Sequence, residues 1–521
     1  MRLGGALYVL GGILAIGAMS VYAIFRIGNI APTIFLAGTG VEITVIILFF
    51  FAELYIIVNS IFYFINVLIS RFVYRRGEVK PLEKEPRVIV LLPMRNEPLD
   101  VIEKAFRAIR FLDYKNFEVV IVDSSDDQTH RNNVELLGNK YGFTYFMTPL
   151  PLHGAKAGAL NEAMMVHVAP YYAIFDADYR PIRSFLKRLM PQIVADKKIA
   201  YIQTPQFYGN HSRFPISRVA QIQQSIFYEY ICEAKSVHNA VFMCGTNLVF
   251  RRAALVDVGF FEEESVTEDY ATSMRISLAG WDVKYDNYTT AFGDGPVNLE
   301  QYFKQQYRWA RGTFEAFFTH MTAIYSPNAP LSWWQRIEYS LSGIWFFVGV
   351  VWMIMLTVPL LFIVFDIQAF HSDPYMFTFI YLPYFCLSAL FYFTTLRTRR
   401  YSIRDLILAQ SLVLLTLPIY FRAFLNLLFS RRTATFEVVE KRADPYAMPW
   451  RHMKLQLSFI TFNAFAVAYG AYILPTSPRG TSILVNMLWG LLHLFIMLYL
   501  IAYIYGGKLS FRRRSAGGAV Y

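Results

Sequence analysis

The sequence predicts an α/β domain carried between groups of membrane-spanning helices. Three observations predict it. First, 55% of the 521 residues are hydrophobic and 17% aromatic, with mean hydropathy +0.35, too apolar for an ordinary water-soluble chain of this length. Second, the apolar residues gather into runs of about 20, enough to cross roughly 30 Å of hydrocarbon. Third, the texture changes between about 80 and 331, where short β-branched runs alternate with helical patterns.

The first apolar run is Leu3 to Phe25. It is long for a signal peptide and carries only Arg2 as an early positive charge, so it reads as a retained span. The second run, Val41 to Ser70, ends at Arg71, Arg75 and Arg76. Basic residues beside apolar runs mark the cytoplasmic face. The same holds for Arg397, Arg399 and Arg400, for Arg431 and Arg432, and for Arg512 to Arg514. This placement accounts for the net charge of +11 without nucleic acid as a partner. The domain after the second run is therefore expected in the cytoplasm, at the face of a cell membrane crossed several times.

Within that domain the strand candidates are Arg87 to Pro93, Phe117 to Asp123, Tyr171 to Asp176 and Ile199 to Thr204. A helical segment, Leu99 to Leu112, separates the first two. Strand, helix, strand in this order reads as a parallel α/β arrangement, with ligands at the carboxyl ends of the strands. Apolar runs resume at Tyr339 to Phe365, Tyr375 to Leu396, Leu457 to Leu474 and Ser482 to Tyr505. A further run, Leu406 to Phe421, is short, contains Pro418 and is flanked by Asp405 and Arg422. Both its basic flanks stay cytoplasmic if it lies in the interface. The expected organisation is two N-terminal spans in 1–79, an α/β domain in 80–331, and a C-terminal membrane region in 332–521. That region includes an interfacial helix at 403–430 and a loop at 431–444, giving six spans in all. Cys232, Cys244 and Cys386 have neither paired nor metal-ligand spacing, which argues against a disulfide framework or a zinc site.

Asp176-Ala177-Asp178 follows a buried strand candidate and presents two carboxylates on one side of an extended segment. Such a pair can share a divalent cation, Mg2+ or Mn2+, with a diphosphate; it can equally cap a turn. Asp123 ends another strand candidate, as a ligand or a turn residue, and Pro93-Met94-Arg95-Asn96-Glu97 ends the first. His153 to Asn161 is a small-residue loop entering a helix, where backbone amides and Lys156 can meet phosphate; a packed turn is the alternative. Thr267-Glu268-Asp269 suits a helix N-terminus with Thr267 as cap. Gln305-Gln306-Tyr307-Arg308-Trp309 suits a helix, functional or merely exposed. Glu53, deep in the second apolar run, must face protein or a polar path: either it lines a channel or it is a packed, hydrogen-bonded residue.

In this order the motifs resemble the family 2 glycosyltransferases with a GT-A fold, which have a Rossmann-like mixed sheet. Within these they are most similar to the processive membrane synthases of cellulose and hyaluronan. Gln203-Thr204-Pro205 and Cys244-Gly245-Thr246-Asn247 join the resemblance, which runs from about Leu82 to Phe317. Phe436-Glu437-Val438-Val439-Glu440-Lys441 is similar to the gating loop of cellulose synthases, with Val439 where that loop has threonine.

The resemblance implies an inverting transfer of sugar from a nucleotide-sugar, commonly a UDP-sugar, to a growing polysaccharide coupled to export. The alternative is addition of a single sugar to a lipid acceptor. It implies Asp269 as the base, with Glu268 and Thr267 beside it. Pro93, Arg95, Glu97, Asp123, Lys156, Asp176, Asp178, Gln305 and Arg308 would surround the donor nucleotide, with the cation at Asp178 and Asp176. Trp309, Cys244 and Gly245 would meet the acceptor, and Phe436, Val438 and Lys441 would form the gating loop. The sugar, the nucleotide and any accessory export subunits have no readable motif.

Overall fold

The computed structural model describes residues 3–149, 153–399, 401–429 and 444–515. Two compact units emerge. One comprises Met1–Leu68, Phe346–Phe424 and Pro445–Tyr521; the other comprises Ile69–Trp345 and Leu425–Asp444.

Among its described residues the second unit holds ten strands in chain order: β1 Val88–Met94, β2 Phe117–Asp123, β3 Thr144–Met147, β4 Tyr171–Ile174, β5 Arg180–Pro181, β6 Ile199–Gln203, β7 Phe207–Tyr208, β8 Leu248–Arg251, β9 Asp282–Tyr285 and β10 Ala291–Gly293. Seven of them form one sheet in the order β3-β2-β1-β4-β8-β6-β9. The pairs β1–β2, β1–β4, β2–β3 and β6–β9 are parallel. Strand β8 runs antiparallel to both β4 and β6. The sheet is thus mixed rather than purely parallel. β5, β10 and β7 make a separate small sheet.

β1 is buried at every position, as expected of a strand covered on both faces. Its register with β2 pairs Met94 with Asp123. One face packs Val88, Val90 and Leu92 with Phe106 and Ile109 of the Leu99–Arg110 helix. The other packs Ile89 and Leu91 with Leu160 and Met164 of the Ala155–Val166 helix. β4 stops at Ile174 and β6 at Gln203, short of the expected Asp176 and Thr204. At both places the backbone turns away to bond a neighbouring loop: Asp176 N–H meets Thr246 Oγ1 at 3.0 Å, and Thr204 N–H meets Asn247 O at 3.2 Å.

The first unit is helical. Among the described residues, six helical stretches are long and apolar enough to cross a membrane: Gly5–Phe35, Gly40–Phe72, Trp345–Phe365, Tyr375–Arg397, Ile403–Phe429 and Gly480–Gly506. The number agrees with expectation but the membership does not. Ile403–Phe429 qualifies, because the helix continues through Pro418 for 27 residues. Lys454–Ile473 is a helix but does not qualify; Lys454, Gln456, Ser458, Thr461 and Asn463 make its first half polar.

Glu53 faces protein in this unit. Tyr22 Oη donates to its Oε1 at 2.5 Å, and Arg26 Nε donates to its Oε2 at 2.6 Å. Arg26 also lies 4.0 Å from the centre of the Phe370 ring. This is the packed, hydrogen-bonded alternative for Glu53, completed by an arginine at the end of the first apolar run.

Candidate active site

The carboxyl ends of β1, β2, β4 and β6 share one edge of the sheet. Because β8 is reversed, its amino end joins them: Leu248 pairs with both Ile174 and Gln203. The turn Cys244–Asn247 that precedes β8 is therefore delivered to the edge where Asp176 emerges. Buried Gln203 holds this turn. Its Oε1 accepts Cys244 N–H at 2.8 Å, and its Nε2 donates to Thr204 O at 2.8 Å and Thr246 O at 2.9 Å. Thr204 Oγ1 donates to Asn247 O at 2.7 Å. Gln206 Nε2 donates to Cys244 O at 2.5 Å. The two short motifs noted in sequence are thus one interlocked structure. Burial, followed by the Asp269 charge, raises the Cys244 thiol above its ordinary range.

Asp176 and Asp178 follow β4, and Asp178 is buried. Lys156, in the first turn of the Ala155–Val166 helix, places Nζ 2.5 Å from Asp176 Oδ1 and 2.8 Å from Gly245 O. The N-terminus of that helix is covered by a carboxylate of the chain itself. Glu263 packs on Gly154, lies 3.3 Å from His153 Nδ1 and accepts Asn161 Nδ2 at 2.8 Å. The Asn161 side chain also bonds both N–H and C=O of Phe261. This clasp ties the loop entering the helix to the segment that leads to Asp269.

Asp269 stands in the first turn of the Glu268–Leu278 helix. Thr267 occupies the N-cap position, but its side chain makes no capping hydrogen bond, in contrast to the expectation; its hydroxyl lies 3.4 Å from Ser265 Oγ instead. Asp269 Oδ1 accepts Tyr270 N–H at 2.8 Å. Gly245, at φ +79°, faces the other oxygen so closely that a Cβ would lie 3.2 Å from Oδ2. Burial pushes the Asp269 carboxyl up to about 7, aided by the Glu268 charge and opposed by the Tyr270 amide, Lys156 and Arg308.

Arg308 lies on the Leu299–Ile324 helix. Gln305, Arg308, Trp309 and Gly312 share one face at spacings of three and four. Gly312 lets that face approach: a Cβ there would lie 2.6 Å from Thr267 Cγ2 and 2.8 Å from Val266 Cγ2. Gln305 hydrogen-bonds the buried Tyr208 phenol, which burial raises above its ordinary range and the Asp178 charge raises further. Gln305 Oε1 is buried with no hydrogen-bond partner among the described residues. Trp309 is half-buried. Gly312, Tyr208 and the Asn161–Glu263 clasp were not singled out in the sequence. A glycine four residues after Arg308 on a helix is a signal for the first of these alone; no local pattern marks the other two.

The remaining expected residues line the loops after β1 and β2. Arg95 N–H donates to Glu97 Oε2 at 2.5 Å, and the Arg95 guanidinium lies 3.3 Å from Asp126. Asn96 N–H donates to Ser125 Oγ at 2.9 Å, lacing the two loops. Pro93 lies within β1, as it does in the strand candidate Arg87 to Pro93. Asp123 is fully buried and uses both oxygens on protein, accepting Ser125 N–H at 2.8 Å and Tyr145 Oη at 2.9 Å. Phe436, Val438 and Lys441 lie outside the described residues. On either side of that stretch, Asn426 Nδ2 donates to Tyr307 Oη at 2.7 Å, and Asn298 Nδ2 donates to Asp444 O at 2.8 Å.

Among the described residues no group of three or more His, Cys, Asp or Glu side chains gathers into a metal cage. Asp176 and Asp178 supply hard oxygen donors, and two carboxylates suit an ion that completes its shell with phosphate oxygens and water.

Residues 173–396 match a family model described as "Glycosyl transferase family group 2". Over 422 residues the chain is 29% identical to a cellulose synthase catalytic subunit (UDP-forming) of Pseudomonas fluorescens, covering 80% of this chain and 56% of that one. It is 30% identical over 295 residues to cellulose synthase 1 of Komagataeibacter xylinus, covering 56% of this chain and 18% of the other. The chain thus spans about half the length of the first of these relatives and less of the second. A mannosyltransferase of Pyrobaculum calidifontis, solved with GDP-Man and Mn2+, superposes with a TM-score of 0.54 at 17% identity, covering 74% of this chain and all of that one. That likeness concerns the fold. The chain thus carries a GT-A-like α/β region whose residues 173–396 match the model of glycosyltransferase family group 2, distantly similar to the cellulose synthases, together with long apolar helices suited to a membrane.

Proposed function

We propose that this protein transfers sugar from a nucleotide-sugar, a UDP-sugar by analogy with its relatives, onto a growing polysaccharide at the cytoplasmic face of a membrane. Export of the product follows through the apolar helices. The observation that carries the reading is Asp269. Its carboxyl is pushed up to about 7 and stands at one sheet edge with Lys156, Gly245 and Arg308. A general base works best with its pKa near the operating pH.

In this reading Asp269 takes the proton from the acceptor hydroxyl as it attacks the anomeric carbon, and the nucleoside diphosphate leaves with inversion. Glu268 and Thr267 flank the base. Arg308 and Lys156 lend fixed positive charge to the leaving diphosphate. Asp176 and Asp178 hold the divalent ion, which when bound supplies Lewis-acid stabilisation of that charge. The unpartnered Gln305 Oε1 takes a donor group of the substrate, and the Trp309 ring offers its face to the acceptor sugar, beside Cys244 and Gly245. Pro93, Arg95, Glu97 and Asp123 frame the nucleoside by way of the laced loops after β1 and β2. Phe436, Val438 and Lys441 are the gating-loop residues of this reading; on either side of their stretch, Asn426 and Asp444 bond to the helix that carries Gln305 and Arg308 and to its cap.

The test is a donor screen on the full chain in nanodiscs with Mg2+ or Mn2+. It follows nucleoside diphosphate release and product length for each UDP- and GDP-sugar. The expected result is release with one donor and a long, glycosidase-sensitive product. Release that requires added lipid and yields one-sugar products would replace the polymer by a glycolipid. No release with any donor would overturn the assignment.

A further inference from the structure

Lys156 is engaged in a way that a phosphate-binding role alone does not explain. Its Nζ sits 2.5 Å from Asp176 Oδ1 and 2.8 Å from Gly245 O, and its side chain is only 18% exposed. Gly245 presents that carbonyl at φ +79°, a backbone conformation that side-chain-bearing residues rarely adopt; a Cβ there would make ordinary contact with Nζ at 3.5 Å and a tight one with Asp269 Oδ2 at 3.2 Å. The ammonium therefore neutralises the first carboxylate of the Asp176–Asp178 pair, the two donors left to a metal where no third His, Cys, Asp or Glu joins them among the described residues. A divalent cation arriving alone meets a carboxylate already paired with an ammonium and has only water to complete its oxygen shell. A nucleoside diphosphate changes both terms. It brings anionic oxygens for the cation, and it offers Lys156, on its flexible four-carbon stem, a new partner.

We propose that Lys156 stands in for the divalent cation at Asp176 in the donor-free protein, so that cation and nucleoside diphosphate are taken up together. This rests on the reading of Asp176 and Asp178 as the metal-holding pair. It deepens that reading by giving the site an order of assembly: Lys156 exchanges Asp176 for the diphosphate as the cation takes its place. Free cation then does not accumulate in a site that has no substrate.

The test is Mn2+ binding to the purified full chain in detergent, read from the free-ion electron paramagnetic resonance signal. It is measured alone and with UDP or GDP, for wild type, Lys156→Met and Lys156→Gln. Thermal melting checks that each variant is folded, and the second variant serves if the first is not. Wild type is expected to bind Mn2+ about tenfold more tightly with a nucleoside diphosphate than without. The Lys156 variants are expected to bind Mn2+ alone about tenfold more tightly than wild type. Adding Asp178→Ala to Lys156→Met should abolish that gain. Variants that bind Mn2+ alone no better than wild type overturn the proposal while leaving the metal pair standing. So does wild type that binds equally with and without UDP or GDP. A gain that survives Asp178→Ala places the ion elsewhere and also overturns it. If no form binds Mn2+ even with UDP and GDP, the metal pair itself falls, and the proposal with it.

Discussion

At Asp269 burial and the neighbouring Glu268 charge oppose ionisation, while Lys156, Arg308 and the Tyr270 amide favour it; burial wins and the carboxyl rises to about 7. As the proposed base, Asp269 acts only when ionised, so turnover should rise with pH through about 7 and level off above it. A pH–rate profile of the full chain checks this; a rate independent of pH across that range would contradict it. The same shift has a consequence for stability. The folded state holds this proton more tightly than the unfolded chain, so stability is lost as pH rises from the ordinary carboxylate range to about 7. Asp269→Asn removes that loss. It should melt higher than wild type at about pH 8 and no higher at about pH 4, as thermal unfolding at the two values would reveal. Gly245→Ala is expected to do the reverse. Its φ of +79° and the nearness of Asp269 Oδ2 should cost about 1–2 kcal/mol of stability and displace the base. A variant as stable and as active as wild type would remove Gly245 from the account.

At the scale of elements, the sequence was most legible where a single segment decides its own structure. β1 and β2 are built on runs of apolar residues rich in Val and Ile, and their bounds agree with expectation to within a residue. β3, β8 and β9 have four residues each and exist because neighbours pair with them, so no local run announced them. The reversed β8 was therefore unreadable, although it carries the Cys244–Asn247 turn to Asp176. The acids and Lys156 were legible as residues. Their meeting was not, because Gln203, Gly312 and the Asn161–Glu263 clasp create it at long range. Gln203 sits at the middle of this lacing, so Gln203→Ala should cost about 2–3 kcal/mol through the polar groups it orphans. It should also lower turnover, although the residue is fully buried and touches no substrate. Loss of turnover with an unchanged melting temperature would contradict that view.

Across the whole molecule, the apolar helices and the α/β domain pose different problems. Glu53 was expected either to line a polar path or to pack, and its bonds to Tyr22 and Arg26 speak for packing. A buried carboxylate whose cation is removed is costly, about 3–5 kcal/mol. Arg26→Leu alone should therefore destabilise more than Arg26→Leu combined with Glu53→Leu, as thermal unfolding of the three forms in detergent can decide. Product export by the double variant separates packing from passage: normal export leaves Glu53 a structural residue, and blocked export by a stable protein restores the channel. The proposed chemistry, however, lies at the sheet edge, with Asp269 as the base of a nucleotide-sugar transfer. Its most direct test is Asp269→Asn in the purified full chain, with donor affinity and single-turnover nucleoside diphosphate release measured on the same preparation. Donor binding should stay close to wild type while release slows about a hundredfold or more. A folded Asp269→Asn protein that binds donor and releases nucleoside diphosphate at the wild-type rate would contradict it.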